Sequence, residues 1–260
     1  MRLAAIQHDI VWEDRDATLA HLEPQLARAA GAGARLVVLT EMFATGFSMR
    51  THLTAEPIDG PTATWMHEQA VRHDVWIAGS VPIDAPDPEA PGPAGLPTNT
   101  LLLLGPDGTS HRYDKVHPFS YAGEHERFRP GDGPVVVEVE GIRIGLAVCY
   151  DLRFGYVHWD RPDDVHLELI VANWPEARRH HWRTLLHARA IEDQVYVCGV
   201  NRIGMAGDKL NHVGDSLIID PAGDILVDAG KDETILFADI DPERVAATRA
   251  RFPFRQDRLR

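Results

Sequence analysis

An apolar run and two further strand-like segments in this chain stop on side chains that can do chemistry. Ile142-Arg-Ile-Gly-Leu-Ala-Val148 runs into Cys149 and the polar Tyr150-Asp151-Leu152-Arg153, Arg35-Leu-Val-Val-Leu39 runs into Thr40-Glu41, and His111-Arg-Tyr113 runs into Asp114-Lys115-Val116-His117. A buried strand that ends on such a residue presents it at a sheet edge, where a small molecule can reach it. Cleaving an amide or nitrile through a covalent intermediate needs a nucleophile, a base to take and return its proton, and positive charge where the oxyanion develops. Cys149, Glu41 and Lys115 fill those roles in turn, and the Tyr150 N–H, directly after the nucleophile, is a natural second oxyanion donor. A fixed ammonium beside the sulfur also favours the thiolate. No histidine is required.

The elements that must bring these residues together alternate between strand and helix. Leu3 to Gln7 reads as a strand, Ala17 to Ala30 as a helix with Leu19, Leu22 and Leu26 on one face, and Leu36 to Leu39 as the next strand, with Gly31 and Gly33 at the helix stop. A helix from Pro61 to His73 and a strand from Val75 to Ser80 repeat the unit, and Asp84 to Pro97 is a proline-, alanine- and glycine-rich surface excursion. Gly105-Pro-Asp-Gly108 turns one hairpin and Asp220-Pro-Ala-Gly-Asp224 another. Between them, strand Leu167 to Ala172, helix Arg179 to Asp193 and strand Tyr196 to Asn201 continue the alternation; strand Thr234 to Ile240 and a helix from Pro242 to Arg251 close the chain. This order predicts an α/β fold in which mixed sheets are covered by helices, and residues 1–260 read as a single domain.

Composition removes several function classes. A formal net charge of -13 argues against nucleic acid or an anionic membrane as partner, since both are bound through an excess of Lys and Arg. Met1-Arg-Leu-Ala-Ala-Ile6 is interrupted by Gln7-His8-Asp9 before a signal-peptide core forms, and no apolar run reaches membrane-spanning length, so a cytoplasmic location is expected. The 2 cysteines, far apart, build no disulfide framework, and Cys198 inside Tyr196-Val-Cys-Gly-Val200 reads as an inert core thiol. The 14 histidines show neither His-Glu-x-x-His nor paired Cys-x-x-Cys spacing, and the glycine turns lack the spacing of a phosphate cradle; neither metal nor cofactor is expected.

The same residues resemble the nitrilase superfamily of carbon-nitrogen hydrolases over nearly the whole chain. Leu39-Thr-Glu-Met-Phe-Ala-Thr-Gly-Phe47 is similar to its Glu motif, Tyr113-Asp-Lys-Val-His-Pro-Phe119 to its Lys motif and Val148-Cys-Tyr-Asp-Leu-Arg-Phe154 to its Cys motif. Within it, Ala172-Asn-Trp-Pro175, His181-Trp182, Ala188-Arg-Ala-Ile-Glu192, Asn201-Arg202 and Gly214-Asp-Ser216 resemble the omega-amidase branch. The resemblance implies a four-layer αββα sandwich of two mixed β-sheets, a homodimer or higher homo-oligomer paired through helices next to the site, and a second glutamate that holds the lysine. Gly123-Glu124-His125 matches that position, which makes Glu124 a candidate site residue with Glu126 as the fallback. Thr40, where the family carries Pro, and Phe154-Gly155-Tyr156, where it carries Phe-Pro, bear on the rim beyond Cys149.

Omega-amidases act on the terminal amide of small dicarboxylate monoamides of the 2-oxoglutaramate and 2-oxosuccinamate type, so the resemblance implies that substrate class. Holding such an anion inside an acidic protein calls for an arginine, whose planar fork binds carboxylate bidentately. Arg178, after Asn173-Trp174-Pro175, is the first candidate, and Arg153 the second, with a structural ion pair to Asp151 as the competing reading. Tyr150 and Trp174, each following a strand end, are candidate walls, Trp174 being equally a core aromatic. The alternatives left open are a nitrilase or N-carbamoyl amidohydrolase, a catalytically silent scaffold, and a thiol redox protein, which would want a better resolving cysteine than Cys198.

Overall fold

The computed structural model describes residues 1–84, 95–207 and 209–258. Strand β1 (Arg2–Gln7) leads through helix α1 (Arg15–Gly31) to β2 (Leu36–Val38), the single turn α2 (Thr51–Thr54), α3 (Pro61–His73), β3 (Trp76–Ile83) and the hairpin β4 (Thr98–Leu104) with β5 (Ser110–Asp114). The chain continues through β6 (Val135–Val139), β7 (Ile142–Val148), α4 (Gly155–Trp159), β8 (Leu167–Ala172), α5 (Arg179–Asp193) and β9 (Tyr196–Asn201). A short hairpin of β10 (Ile203–Met205) and β11 (Asn211–Val213), then β12 (Leu217–Ile219), β13 (Ile225–Asp228), β14 (Thr234–Asp239) and α6 (Pro242–Arg251) complete it.

Two six-stranded mixed sheets result, in the orders β14-β1-β2-β3-β4-β5 and β13-β12-β9-β8-β7-β6. Each has a parallel centre, β1-β2-β3 in one and β7-β8-β9 in the other, flanked by antiparallel strands. Parallel centres matter for chemistry, because crossover connections put the strand exits at one end of the sheet. Glu41 follows β2, Cys149 follows β7 and Asn173 follows β8.

Alternation along each strand sends one set of side chains inward and the other toward helices. Leu3, Ala5, Leu36 and Val38 of the first sheet share one core with Leu146, Val148, Leu169, Val171 and Cys198 of the second. On the outer faces, Ile6, Val37 and Leu39 pack under Leu19, Leu22 and Leu26 of α1 and Met66 of α3, while Ile170, Ala172 and Val197 pack under Trp182, Leu186 and Ala190 of α5. The layers are therefore αββα. Gly199 lets α5 approach the sheet closely, since a Cβ there would lie 2.5 Å from Leu186.

The helices start and stop for local reasons. Asp14 caps α1 through the Ala17 N–H at 3.0 Å, and Asp241 caps α6 through the Glu243 N–H at 2.9 Å. Pro61 and Pro242 occupy first turns, where the missing N–H costs nothing. Three features differ from the sequence reading. Strand β3 runs on to Ile83, and β6 and the β10–β11 hairpin are additional. Most of the proline-rich excursion between Asp84 and Pro97 lies outside the described residues.

Candidate active site

Cys149 leaves β7 with a φ of 48°, in the left-handed region that non-glycine residues seldom occupy. The turn takes the thiol off the line of the strand and carries it to the edge of the sheet. Asp151, fully buried, fixes that turn by accepting from the Val148 N–H at 3.1 Å, the Tyr113 hydroxyl at 2.7 Å and the His117 N–H at 2.9 Å, with His117 Nδ1 a further 2.9 Å contact. Tyr113 and His117 flank Lys115. One buried carboxylate thus ties the thiol-bearing turn to the exit of β5 that carries the ammonium.

A second network fixes Glu41, where Met42 is also left-handed at φ 40°. The Met42 N–H donates to Ser80 Oγ at 2.8 Å, Ser80 Oγ donates to Asn99 Oδ1 at 2.8 Å, and Asn99 Nδ2 donates to Glu41 Oε1 at 2.8 Å and Glu124 Oε1 at 3.1 Å. From the other sheet, the Asn173 N–H donates to Glu41 Oε2 at 2.8 Å and its Nδ2 to the Glu41 carbonyl at 2.5 Å. The base candidate is held from both sheets at once.

Lys115 Nζ lies 2.8 Å from Glu41 Oε1 and 3.0 and 2.9 Å from the two oxygens of Glu124, with all three side chains at most 1% exposed. The Phe119 N–H completes Glu124 at 2.5 Å. Glu124, from the turn Glu124–Glu126, therefore joins the cluster, whereas Glu126 points to solvent beside His125. Burial opposes the Lys115 charge, but Glu124, Glu41 and a Cys149 thiolate outweigh it and hold the ammonium above the ordinary lysine value. Burial also raises the Glu124 carboxyl, against the pull of Lys115 and with the help of Glu41. The Cys149 thiol, hydrogen-bonded to Glu41, is pushed well above an ordinary thiol by burial and the Glu41 charge, with Lys115 acting against them. At rest the sulfur keeps its proton, and a base must remove it.

Over this cluster opens a pocket lined by Glu41, Lys115, Cys149, Tyr150, Asn173 and Trp174, with Phe47, Phe119 and the hairpin residues Ala206, Leu210 and His212 as further walls. Arg153 and Arg178 reach into the same pocket. Arg178 lies 5.3 Å from the Phe119 ring centre, and Arg153 lies 4.6 Å from that of Trp174 and 5.8 Å from that of Tyr150. Among the described residues neither guanidinium meets a carboxylate, so the ion pair of Arg153 with Asp151 does not form: Asp151 is saturated by Tyr113, His117 and Val148. Burial and the neighbouring Arg178 lower the Arg153 pKa, while Tyr150 and Cys149 oppose the shift. Trp174 is wall and core aromatic together, 3% exposed, packed 5.5 Å from the Trp182 ring centre and donating from Nε1 to the Arg178 carbonyl at 2.8 Å.

At the rim, Tyr156 takes part through its hydroxyl, 2.5 Å from His117 Nε2, and His117 stacks on Phe154 at 3.8 Å. The departing Phe154-Gly155-Tyr156 segment thereby buttresses the residue that holds Asp151. Asn99, Asn173 and Asp151 are positioning residues that the sequence reading did not single out; Asn173 and Asp151 stood inside quoted motifs, while Asn99, at the start of an apolar strand, gave no signal. Cys198 is a fully buried thiol in β9, remote from solvent. His180 and His181 are exposed on the first turn of α5. Among the described residues no three His, Cys, Asp or Glu side chains gather to hold a metal ion, and no helix is long and apolar enough to cross a membrane.

Comparison with known proteins agrees with this geometry. Residues 2–250 match the family model described as carbon-nitrogen hydrolase. The chain is 41% identical to the omega-amidase YafV of Yersinia enterocolitica over 255 residues, covering 97% of this chain and 94% of that one. It is 32% identical to the 2-oxoglutaramate amidase of Bacillus subtilis over 228 residues, 86% of this chain and 85% of that one. Among solved structures, XC1258 from Xanthomonas campestris, a CN-hydrolase superfamily protein with an arsenic adduct in its active site, superposes with a TM-score of 0.93 at 37% identity, covering 100% of this chain and 97% of that one. The αββα layers, the strand exits that gather Glu41, Lys115 and Cys149, and a family match over almost the full length lead to one conclusion: the chain belongs to the carbon-nitrogen hydrolase family and hydrolyses carbon–nitrogen bonds.

Proposed function

We propose that the protein is a cysteine-dependent amidase for small amides that carry a carboxylate, of the 2-oxoglutaramate and 2-oxosuccinamate type. The observation that carries this reading is the pair of guanidinia, Arg178 and Arg153, in the pocket beside Cys149 without a carboxylate partner among the described residues. In a chain of net charge -13, two unneutralised cations over aromatic faces are a costly arrangement unless an anionic ligand completes it. The relatives named for omega-amidase and 2-oxoglutaramate amidase activity support the same substrate class.

The reaction follows from the contacts. Glu41 takes the Cys149 proton as the sulfur attacks the amide carbon, so the charge of the buried cluster is unchanged by the transfer. Lys115, held by Glu41 Oε1 and by both oxygens of Glu124, places its positive charge beside the sulfur and, with the Tyr150 N–H, stabilises the oxyanion. Glu41 passes its proton to the amide nitrogen, the C–N bond breaks and ammonia leaves, which creates a thioester on Cys149. Water, deprotonated by Glu41, attacks the thioester and releases the acid and the thiol. Glu124 acts by holding Lys115. No step calls for a metal or organic cofactor.

The test is an ammonia-release screen with purified protein over carboxylate-bearing amides, uncharged amides, nitriles and N-carbamoyl amino acids. The expected result is kcat/KM highest for 2-oxoglutaramate or its four-carbon analogue. Faster hydrolysis of uncharged nitriles or N-carbamoyl compounds would overturn the substrate reading.

A further inference from the structure

The segment His181-Trp182, at the start of α5, has no part in the chemistry above, yet it touches the site at one point. His181 Nδ1 lies 3.3 Å from Arg153 Nη2. Arginine has only donors, so Nδ1 is the acceptor and the imidazole is the neutral tautomer protonated on Nε2. This is the side-chain hydrogen bond of the Arg153 guanidinium; its other neighbours, Trp174 and Tyr150, contact it through ring faces.

Stacking fixes the height of a guanidinium over a ring but leaves it free to turn in its own plane, so a hydrogen bond at one edge sets its direction. The chemical type of that acceptor matters. A carboxylate at position 181 would orient Arg153 more strongly but would also neutralise it and compete with an anionic ligand. A neutral imidazole orients it and leaves its charge available. The platform is rigid: Trp182, next in sequence, is fully buried, donates from Nε1 to the Asp215 carbonyl at 2.8 Å and packs over Gly199. Arg178 precedes the same helix, so one element places both cationic arms of the pocket.

We infer that His181 is a positioning residue for charge recognition: it aims the Arg153 guanidinium at the substrate carboxylate without neutralising it. The inference rests on the proposed reading of Arg153 and Arg178 as carboxylate receptors. Ammonia release is measured for the wild type, His181→Ala, His181→Gln and His181→Glu with succinamate and with butyramide, which has the same four-carbon skeleton and no carboxylate. For His181→Ala, KM for succinamate should rise about tenfold, the effect of one charge-assisted hydrogen bond, with kcat and all butyramide constants unchanged. His181→Gln, which keeps a neutral acceptor, should stay near wild type, and His181→Glu should also raise KM for succinamate. Loss on both substrates alike, or a succinamate KM within twofold of wild type in His181→Ala, overturns the inference. A wild-type enzyme that fails to prefer succinamate over butyramide would show, before any variant is made, that the carboxylate reading itself fails and the role of His181 with it.

Discussion

At the scale of single residues, Glu41 has two opposed effects on Cys149. Its charge and hydrogen bond raise the thiol pKa, which makes the sulfur unreactive at rest, and its basicity removes the proton when substrate is present. Glu41→Gln separates the two. Alkylation of Cys149 by iodoacetamide should become faster at neutral pH, because the raising influence is gone, while amide turnover falls by about 10²-fold or more. Alkylation and turnover falling together would show that Glu41 supplies structure alone. Asn99 is the least conspicuous member of the cluster, bridging Glu41 and Glu124 from β4. Asn99→Leu leaves two buried carboxylates short of a donor and should cost about 1–3 kcal/mol of stability with a loss of turnover, measured by denaturant unfolding and ammonia release. Cys149, Glu41 and Lys115 were legible in sequence because each follows a strand-like segment, apolar before Cys149 and Glu41 and polar before Lys115. Glu124 needed family resemblance, and Asn99 became visible only when β3 and β4 paired.

At the scale of elements, the site depends on how strand exits are pinned. Gly131 donates its N–H to the Lys115 carbonyl at 2.8 Å, and a Cβ on Gly131 would sit 2.1 Å from the Asp114 carbonyl oxygen. That neighbour is backbone and cannot rotate away. Gly131→Ala should therefore displace the exit of β5, lowering kcat by about tenfold or more together with Tm, whereas Gly133→Ala, where a Cβ meets nothing within 4 Å, should leave both unchanged. Equal behaviour of the two variants in thermal unfolding and ammonia release would contradict this account of β5. Helices α3, α5 and α6 were readable to the residue because proline or polar punctuation bounds them. Strand β6 was missed although Glu140-Gly141, both at positive φ, forms the turn into β7, a hairpin signal present in the sequence. The β10–β11 hairpin offered none: it is short, and its Ala206, Leu210 and His212 acquire meaning only as pocket walls.

At the scale of the whole molecule, acid stability follows from groups buried uncharged. His8, fully buried behind the Glu41 turn, is lowered to about 4 by burial. The unfolded chain takes up that proton near the ordinary histidine value, so this contribution to stability is present above pH 6.5 and is lost as the pH falls toward 4. The loss reaches about 3 kcal/mol at the acid end. His158, lowered chiefly by burial, acts in the same direction. Asp193, raised to about 6 chiefly by burial, acts oppositely, since the folded state binds its proton first on acidification. His166, lowered chiefly by burial, acts with the other two histidines, and Glu56 and Glu124, raised chiefly by burial, act with Asp193, so the His8 contribution is isolated by difference: the Tm of the wild type relative to His8→Gln should fall between pH 6.5 and 4.5 in calorimetry. A slope unchanged by His8→Gln would remove His8 from the account. Mixed sheets covered by helices were readable because alternation of strands and helices repeats in both halves, the four-layer αββα order needed the family resemblance, and the identical succession of parallel centre and antiparallel flanks in the two sheets emerged only from the pairing.

The most direct test of the central claim is ammonia release from 2-oxoglutaramate by Cys149→Ala beside the wild type. The substitution removes the nucleophile and little volume, so the fold should persist by circular dichroism. The account predicts steady turnover by the wild type and none above the uncatalysed rate in the variant; a folded Cys149→Ala that releases ammonia at a rate comparable to wild type would contradict it.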